Sequence, residues 1–267
     1  MTPDTLTARE VKRGLATAIV GARVRIYRSL PSTMDAARRA AEGGAPEGTV
    51  VLAEQQTRGR GRFNREWLSQ PGQNLSLSIL LRPPLDRMRT LNMAASVALV
   101  EAIRATTGLA ATVKWPNDVR VQGKKVAGVL IEAHAVGDPA GYTVLGIGLN
   151  VNHDPTPSLP PPAEATSLAA AHGLPVDRLP VLQAFLRSLD ALYAPEADDA
   201  ALLQQWRKTL DTLGQRVRVA WGGDGATIAE GVAEDVTRNG DLVLRRDDGT
   251  TVSLNAGEVT VLPPASQ

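Results

Sequence analysis

The sequence predicts an α+β protein. Residues 1–212 are expected to form a main domain with a mixed or antiparallel sheet and helices, and residues 213–267 a small C-terminal β-barrel domain. Three observations carry this. Leu75, Leu77 and Ile79 alternate with Ser76 and Ser78, the period of a half-buried strand. Residues 87–107 are rich in alanine, leucine and methionine at helical spacing and run to Gly108, a natural helix terminator. After Leu213 the texture changes to short apolar runs separated by "GGDG", "RNG" and "DDGT", turn dipeptides that punctuate hairpins.

Taken in order, "PSTMDAARRAA" (31–41) begins a helix, with Ser32 or Thr33 as N-cap and Asp35 adding negative charge to the first turn. "TVVLAEQQ" (49–56) reads as a buried strand, "NLSLSILLRP" (74–83) as the half-buried one, and 87–107 as the helix after it. Two strands joined at "QGKK" follow, "ATVKWPNDVRV" and "KVAGVLIEAHAV", the first interrupted at Trp115–Asn117 because Pro116 has no N–H for a ladder. "YTVLGIGLNVN" (142–152) is an apolar strand whose glycines imply close backbone approach. "HDPTPSLPPPAEA" is a proline-rich loop, and 177–212 has helical character. The terminal runs "GQRVRVAW", "TIAEGVAEDV", "DLVLRR" and "TVSLNAGEVTVL" supply the barrel, near the lower size limit of a separate domain.

With 29 basic against 28 acidic residues, net charge is +1, which does not suit general nucleic-acid binding. The chain has no cysteine, so disulfides, thiolate metal sites and cysteine nucleophiles are excluded. His134, His153 and His172 lack metal-ligand spacing, and no Gly-x-Ser-x-Gly elbow occurs. The N-terminus lacks a signal-peptide core and no stretch reaches the ~18 apolar residues of a membrane span, so a cytoplasmic protein is expected.

Against this balanced background, "RGRGRFNREW" (58–67) concentrates four arginines and two glycines. Guanidinium groups hold phosphate or carboxylate through paired hydrogen bonds, and glycines let backbone N–H groups approach the same anion. A solvated basic turn is the plain alternative; the preceding buried strand, the repeated Gly-Arg and the closing Trp67 favour an anion site. The spacing is neither a Walker loop nor a dinucleotide fingerprint. In "KWPND" (114–118), Lys114 sits where the strand breaks, either at an ordinary turn or as a second cation facing the arginine loop. Gly128 interrupts a β-branched run, as a bulge or as a ligand contact.

These stretches together resemble the biotin protein ligase family. "ST" (32–33), "GRGRFNREW" (59–67), "KWPND" (114–118), "KVAGVLIE" (125–132) and "GIGLN" (146–150) stand in family order, and "ATSL" (165–168) resembles a later element. The match covers roughly 30–170, and the small barrel fits the family's SH3-like C-terminal domain. One departure is Asn64, where the family often has glycine; asparagine tolerates left-handed backbone angles.

The resemblance implies an ATP-dependent ligase that activates biotin as biotinyl-5′-AMP and transfers it to a lysine of a biotin carboxyl carrier domain of a biotin-dependent carboxylase. Mg²⁺ would share the phosphate charge. By resemblance, Lys114, Arg62 and Arg65 are the catalytic cations. Ser32, Thr33, Gln56, Gly59, Arg60, Arg62, Lys114 and Gly128 would bind biotin, Gly59 and Gly61 also letting the loop close. Arg62, Arg65, Trp67, Asn117 and Asn150 would bind the adenylate; no residue is assigned to the metal. About 30 residues precede Ser32, fewer than the ~50 of a small domain, so a form without the DNA-binding domain of some relatives is expected. The rivals are a lipoate or octanoate ligase and a non-catalytic biotin sensor. No nucleic-acid or membrane partner is expected. Dimers occur in the family, and the sequence leaves monomer or homodimer open.

Overall fold

The computed structural model describes residues 5–134, 141–158, 164–221 and 225–262. A short helix α1 (Ala8–Lys12) carries a capping box in which Thr7 and Glu10 satisfy each other's backbone N–H groups. Then β1 (Arg23–Tyr27), α2 (Thr33–Glu42) and β2 (Thr49–Ala53) form a βαβ unit, with β1 and β2 parallel. After the arginine loop come β3 (Leu75–Leu81) and α3 (Leu91–Thr107), which ends at Gly108 in the left-handed conformation, as its sequence predicts.

The stretch 111–121 splits into β4 (Ala111–Lys114) and β5 (Asp118–Val121), a hairpin turning through a cis Trp115–Pro116 bond. Two longer strands follow, β6 (Lys124–His134) and β7 (Tyr142–Leu149). The order β1-β2-β3-β7-β6-β5-β4, antiparallel except for β1–β2, makes the sheet mixed. The register shift in the β5–β6 pair lies at Val126, so Gly128 is no bulge; it pairs regularly with Asp118 and Gly148.

Two expectations change. The stretch 74–83 is not half-buried: every residue of β3 is buried, Ser76 and Ser78 included. The reason is a second cover. Leu75, Leu77, Ile79 and Leu81 join the main core with α3, while α2 packs on the opposite face, where Ser78 donates to Thr33 Oγ1 at 2.8 Å. The helical region 177–212 is two helices after the short α4 (Leu168–His172): α5 (Arg178–Tyr193) and α6 (Asp199–Thr209). Pro195 forces Ala194 out of the helical region (φ −51, ψ 146), and Asp198 caps the restart.

The C-terminal strands are β8 (Arg216–Ala220), β9 (Thr227–Val236), β10 (Leu242–Arg245), β11 (Thr251–Leu254) and β12 (Glu258–Val261), an antiparallel sheet in the order β11-β10-β9-β8-β12. The last predicted run thus divides at Gly257, whose φ of +145 is open to glycine alone. Residues 222–224 of "GGDG" and 159–163 of the proline-rich loop lie outside the described residues. One contiguous core joins the two sheets, and Trp115 Nε1 donates to Gly240 O at 2.9 Å across them. Among the described residues no helix is long and apolar enough to cross a membrane.

Candidate active site

A cavity of about 330 Å³ opens beside β6 and β7, between them and the C-terminal sheet. Its floor is glycine because side chains from elsewhere lie flat on the strands. A Cβ on Gly148 would come within 2.2 Å of the Trp67 ring, and one on Gly146 within 2.5 Å of Met34 Sδ. Gly128, paired with Gly148, would meet the Trp67 ring at 3.5 Å. Gly59 is equally constrained: a Cβ there would lie 2.4 Å from Trp67 O and 3.1 Å from Gln56 Nε2. Trp67 therefore links the floor to the residues at the head of α2.

Those residues form one polar group. Gln56 Oε1 accepts from Thr33 N at 2.8 Å and from Thr33 Oγ1 at 3.0 Å. Ser32 occupies the N-cap position but makes no capping bond. Its buried hydroxyl and the Trp67 indole N–H both lack a hydrogen-bond partner among the described residues. A buried orphaned polar group costs free energy unless something meets it. Ser32, Thr33 and Gln56 do not line the cavity itself; Gln56 reaches it through Gly59, which lies against Trp67.

The other wall is cationic. Arg62, Arg65, Lys114 and Lys125 line the cavity with Asn117, Asp118 and Asn150. Burial pushes the Lys114 ammonium below the ordinary lysine range, opposed by the charge of Asp118. Burial likewise lowers Arg62, opposed by Asp118 and Glu258. Arg62 Nη1 donates to Asn117 Oδ1 at 2.8 Å, while Asn117 Nδ2 donates to Val129 O at 2.7 Å, which fixes that amide. Asn150 Nδ2 is held by Thr166 O at 3.1 Å. Among the described residues, Lys114 Nζ makes no hydrogen bond or ion pair. A partly desolvated cation of this kind attracts an anionic ligand strongly.

The structure thus gathers Arg62, Arg65, Trp67, Lys114, Asn117, Gly128 and Asn150 in one cavity. Arg60 stands apart: its guanidinium meets Asp35 at 3.0 Å and Glu132 at 3.4 Å, outside the lining. The sequence reading passed over Lys125, Asp118 and Glu258. Lys125 Nζ pairs with Asp118 at 2.7 Å and lies 5.7 Å over the Trp67 ring. The signal was present, since both residues belong to quoted motifs, but only their placement gives them a shared cavity. The left-handed residue of the arginine loop is Phe63 (φ 55, ψ 37), next to the Asn64 that was expected to tolerate such angles.

A mixed sheet covered by helices, a glycine floor and two partly desolvated cations, Arg62 and Lys114, define a domain suited to an anionic small molecule. Residues 26–150 match the family described as Biotin/lipoate A/B protein ligase family, and residues 212–262 match the Biotin protein ligase C terminal domain. The chain is 35% identical over 239 residues to the biotin–[acetyl-CoA-carboxylase] ligase of Mycobacterium tuberculosis, covering 85% of this chain and 84% of that one. It is 39% identical over 195 residues to the bifunctional ligase/repressor of Bacillus subtilis, covering 72% of this chain and 60% of that relative's length. Among solved structures, the biotin protein ligase from Aquifex aeolicus in complex with biotin and ATP is similar with a TM-score of 0.73 at 27% identity, covering 91% of this chain and 100% of that one. The chain belongs to the biotin protein ligase family.

Proposed function

We propose that this chain is an ATP-dependent biotin protein ligase. The observation that carries the reading is the placement of Lys114, Lys125 and Arg62 around one cavity that Trp67 and the glycines of β6 and β7 also line. In the first step a biotin carboxylate oxygen attacks the α-phosphorus of ATP, and pyrophosphate leaves with the electron pair of the broken P–O bond. In the second, the amine of an acceptor lysine attacks the acyl carbon, AMP leaves, and the amine loses a proton. Neither step needs an enzyme nucleophile, in keeping with a chain that has no cysteine.

Lys114 and Arg62 would neutralise charge that grows on the phosphate oxygens, a preorganised electrostatic contribution. Arg65, already at the cavity and held there by Glu258, would add its charge, Asn117 holds Arg62 in place, and Asn150 would face the adenylate. Ser32, Thr33 and Gln56 would meet the ureido ring, since Ser32 offers an unpartnered buried hydroxyl. Gly128 and Trp67 would contact the apolar body of biotin, Gly59 and Gly61 let the loop close, and Arg60 joins the site by turning from Asp35.

Among the described residues, no group of three His, Cys, Asp or Glu could hold a metal. Mg²⁺ would come with the triphosphate and share its charge, and Asp118, which lines the cavity beside Lys125, would offer it a carboxylate.

The partner in this reading is the biotin carboxyl carrier domain of a carboxylase, the domain division is 1–212 and 213–267, and the setting is the cytoplasm, with no nucleic-acid or membrane partner. Of the main sheet's two edge strands, β4 is bridged to Leu210, so a homodimer formed by strand pairing of that sheet would use β1; Arg23 and Arg25 on that strand oppose it.

The test is intact-mass spectrometry of a carrier domain incubated with the chain, Mg-ATP and biotin, lipoate or octanoate. A biotin-sized gain that needs ATP establishes the reading. A gain with lipoate alone moves the chain to the neighbouring ligases, and biotin binding without any gain makes it a sensor.

A further inference from the structure

Three residues of the arginine loop reach across to the C-terminal sheet. Arg62 Nη2 donates to Gly257 O at 3.2 Å, and Arg65 grips Glu258 with both guanidinium nitrogens, at 2.6 and 2.7 Å. Between them the Phe63 ring meets Trp221 edge-on, with centroids 6.3 Å apart at 69°. Phe63 holds a left-handed backbone conformation that a bulky residue adopts only when its surroundings impose it. Both rings are otherwise exposed, Trp221 by 60%, so the contact is not a by-product of core packing. The loop's own bonds are few: Gly61 N to Arg65 O, Arg65 N to Arg62 O and Trp67 N to Gly59 O.

We propose that the C-terminal sheet is the clasp of the arginine loop, with Glu258 its positioning residue and the Phe63–Trp221 pair its second fastening. Glu258 does not touch the reacting atoms. It aims Arg65, and through Gly257 the same turn aims Arg62, so the sheet sets how firmly the loop shields whatever lies in the cavity. The role in retaining an acyl-adenylate rests on the function proposed above; the clasp itself does not.

The test compares the full chain with Glu258→Gln, Glu258→Asp and Trp221→Ala. Hydrogen exchange at the amides of Gly61, Arg65 and Trp67, read in ligand-free protein, is expected to quicken roughly fivefold in Glu258→Gln and Trp221→Ala. Glu258→Asp should restore most of the protection, which a general loss of folding would not. Acyl-adenylate escaping to solution without acceptor should rise by a similar factor in Glu258→Gln. Unchanged exchange in both Glu258→Gln and Trp221→Ala overturns the clasp. Faster exchange with unchanged escape overturns its role in retention. If the parent chain makes no adenylate, the proposed function fails while the exchange measurement still decides the clasp.

Discussion

The floor of the cavity and the arginine loop are built by opposite means. The floor is two long paired strands, β6 and β7, with glycines in a ladder that continues from Ala127–Leu149 to His134–Tyr142. The loop has few backbone bonds of its own and carries its charges on half-exposed side chains anchored in a distant sheet. Strands hold a recognition surface to fractions of an ångström, whereas a loop held by exchangeable ion pairs can open to admit one ligand and close over the product. In the proposed reading recognition falls to the rigid part, while the cations are divided between it, at Lys114, and the loop, at Arg62 and Arg65.

The largest effect on binding should come from breaking the floor. Gly148→Ala puts a methyl group where the Trp67 ring now lies, so the ring must leave and the apolar wall goes with it. Calorimetry should show biotin affinity falling by roughly 100-fold or more while the melting temperature drops only slightly. If affinity is kept, the floor does not set recognition.

Lys114 tests the charged side. Lys114→Ala should slow adenylate formation by roughly 10²- to 10³-fold and change the biotin dissociation constant by less than about threefold, because its charge is needed most in the transition state. The same residue predicts an alkaline limb. Burial lowers its value from the ordinary 10.5, so the cation is lost at a pH below that of free lysine, and activity falls as pH rises through the lowered value. Bound phosphate favours the cation. The limb should therefore lie at lower pH for kcat/KM, which reports the free enzyme, than for kcat.

Ser32→Ala separates recognition from stability. The hydroxyl has no partner among the described residues, so its removal should leave the melting temperature unchanged or slightly raised. Biotin affinity should fall about tenfold if the ureido group meets that oxygen. An unchanged affinity removes Ser32 from the site.

Arg60→Ala should have the smallest effect, under about fivefold on adenylate formation, since its ion pairs with Asp35 and Glu132 are exposed. A loss above tenfold would mean that Arg60, once turned from Asp35 into the site, contributes as much as the buried cations.

Much of this was legible locally. The Gly108 cap, the strand at 49–53 and the break after Lys114 follow from turn chemistry and short-range periodicity, which a sequence displays directly. Arg62, Arg65, Lys114 and Asn150 are named through the family resemblance of the motifs that carry them, and the fold brings them to one cavity. What misled was the alternation of β3. Leucine and serine in alternation describe one apolar face and leave open what covers the other, here α2 with Thr33 reaching Ser78. The same limit hid the turn: Phe63 takes the left-handed angle because Arg62 and Arg65 are fixed on either side of it by Gly257 and Glu258, nearly two hundred residues away.

The sequence by itself determined most of the strands and helices between 31 and 152, several of the turns, and which residue types are available to meet an anion, because those properties depend on neighbours a few positions apart. Only the tertiary structure decided that Lys125 shares a cavity with Lys114, that Arg60 faces outward, and that the C-terminal sheet grips the arginine loop. Those outcomes depend on contacts between residues far apart in the chain and on the direction of long, charged side chains, which no local pattern specifies.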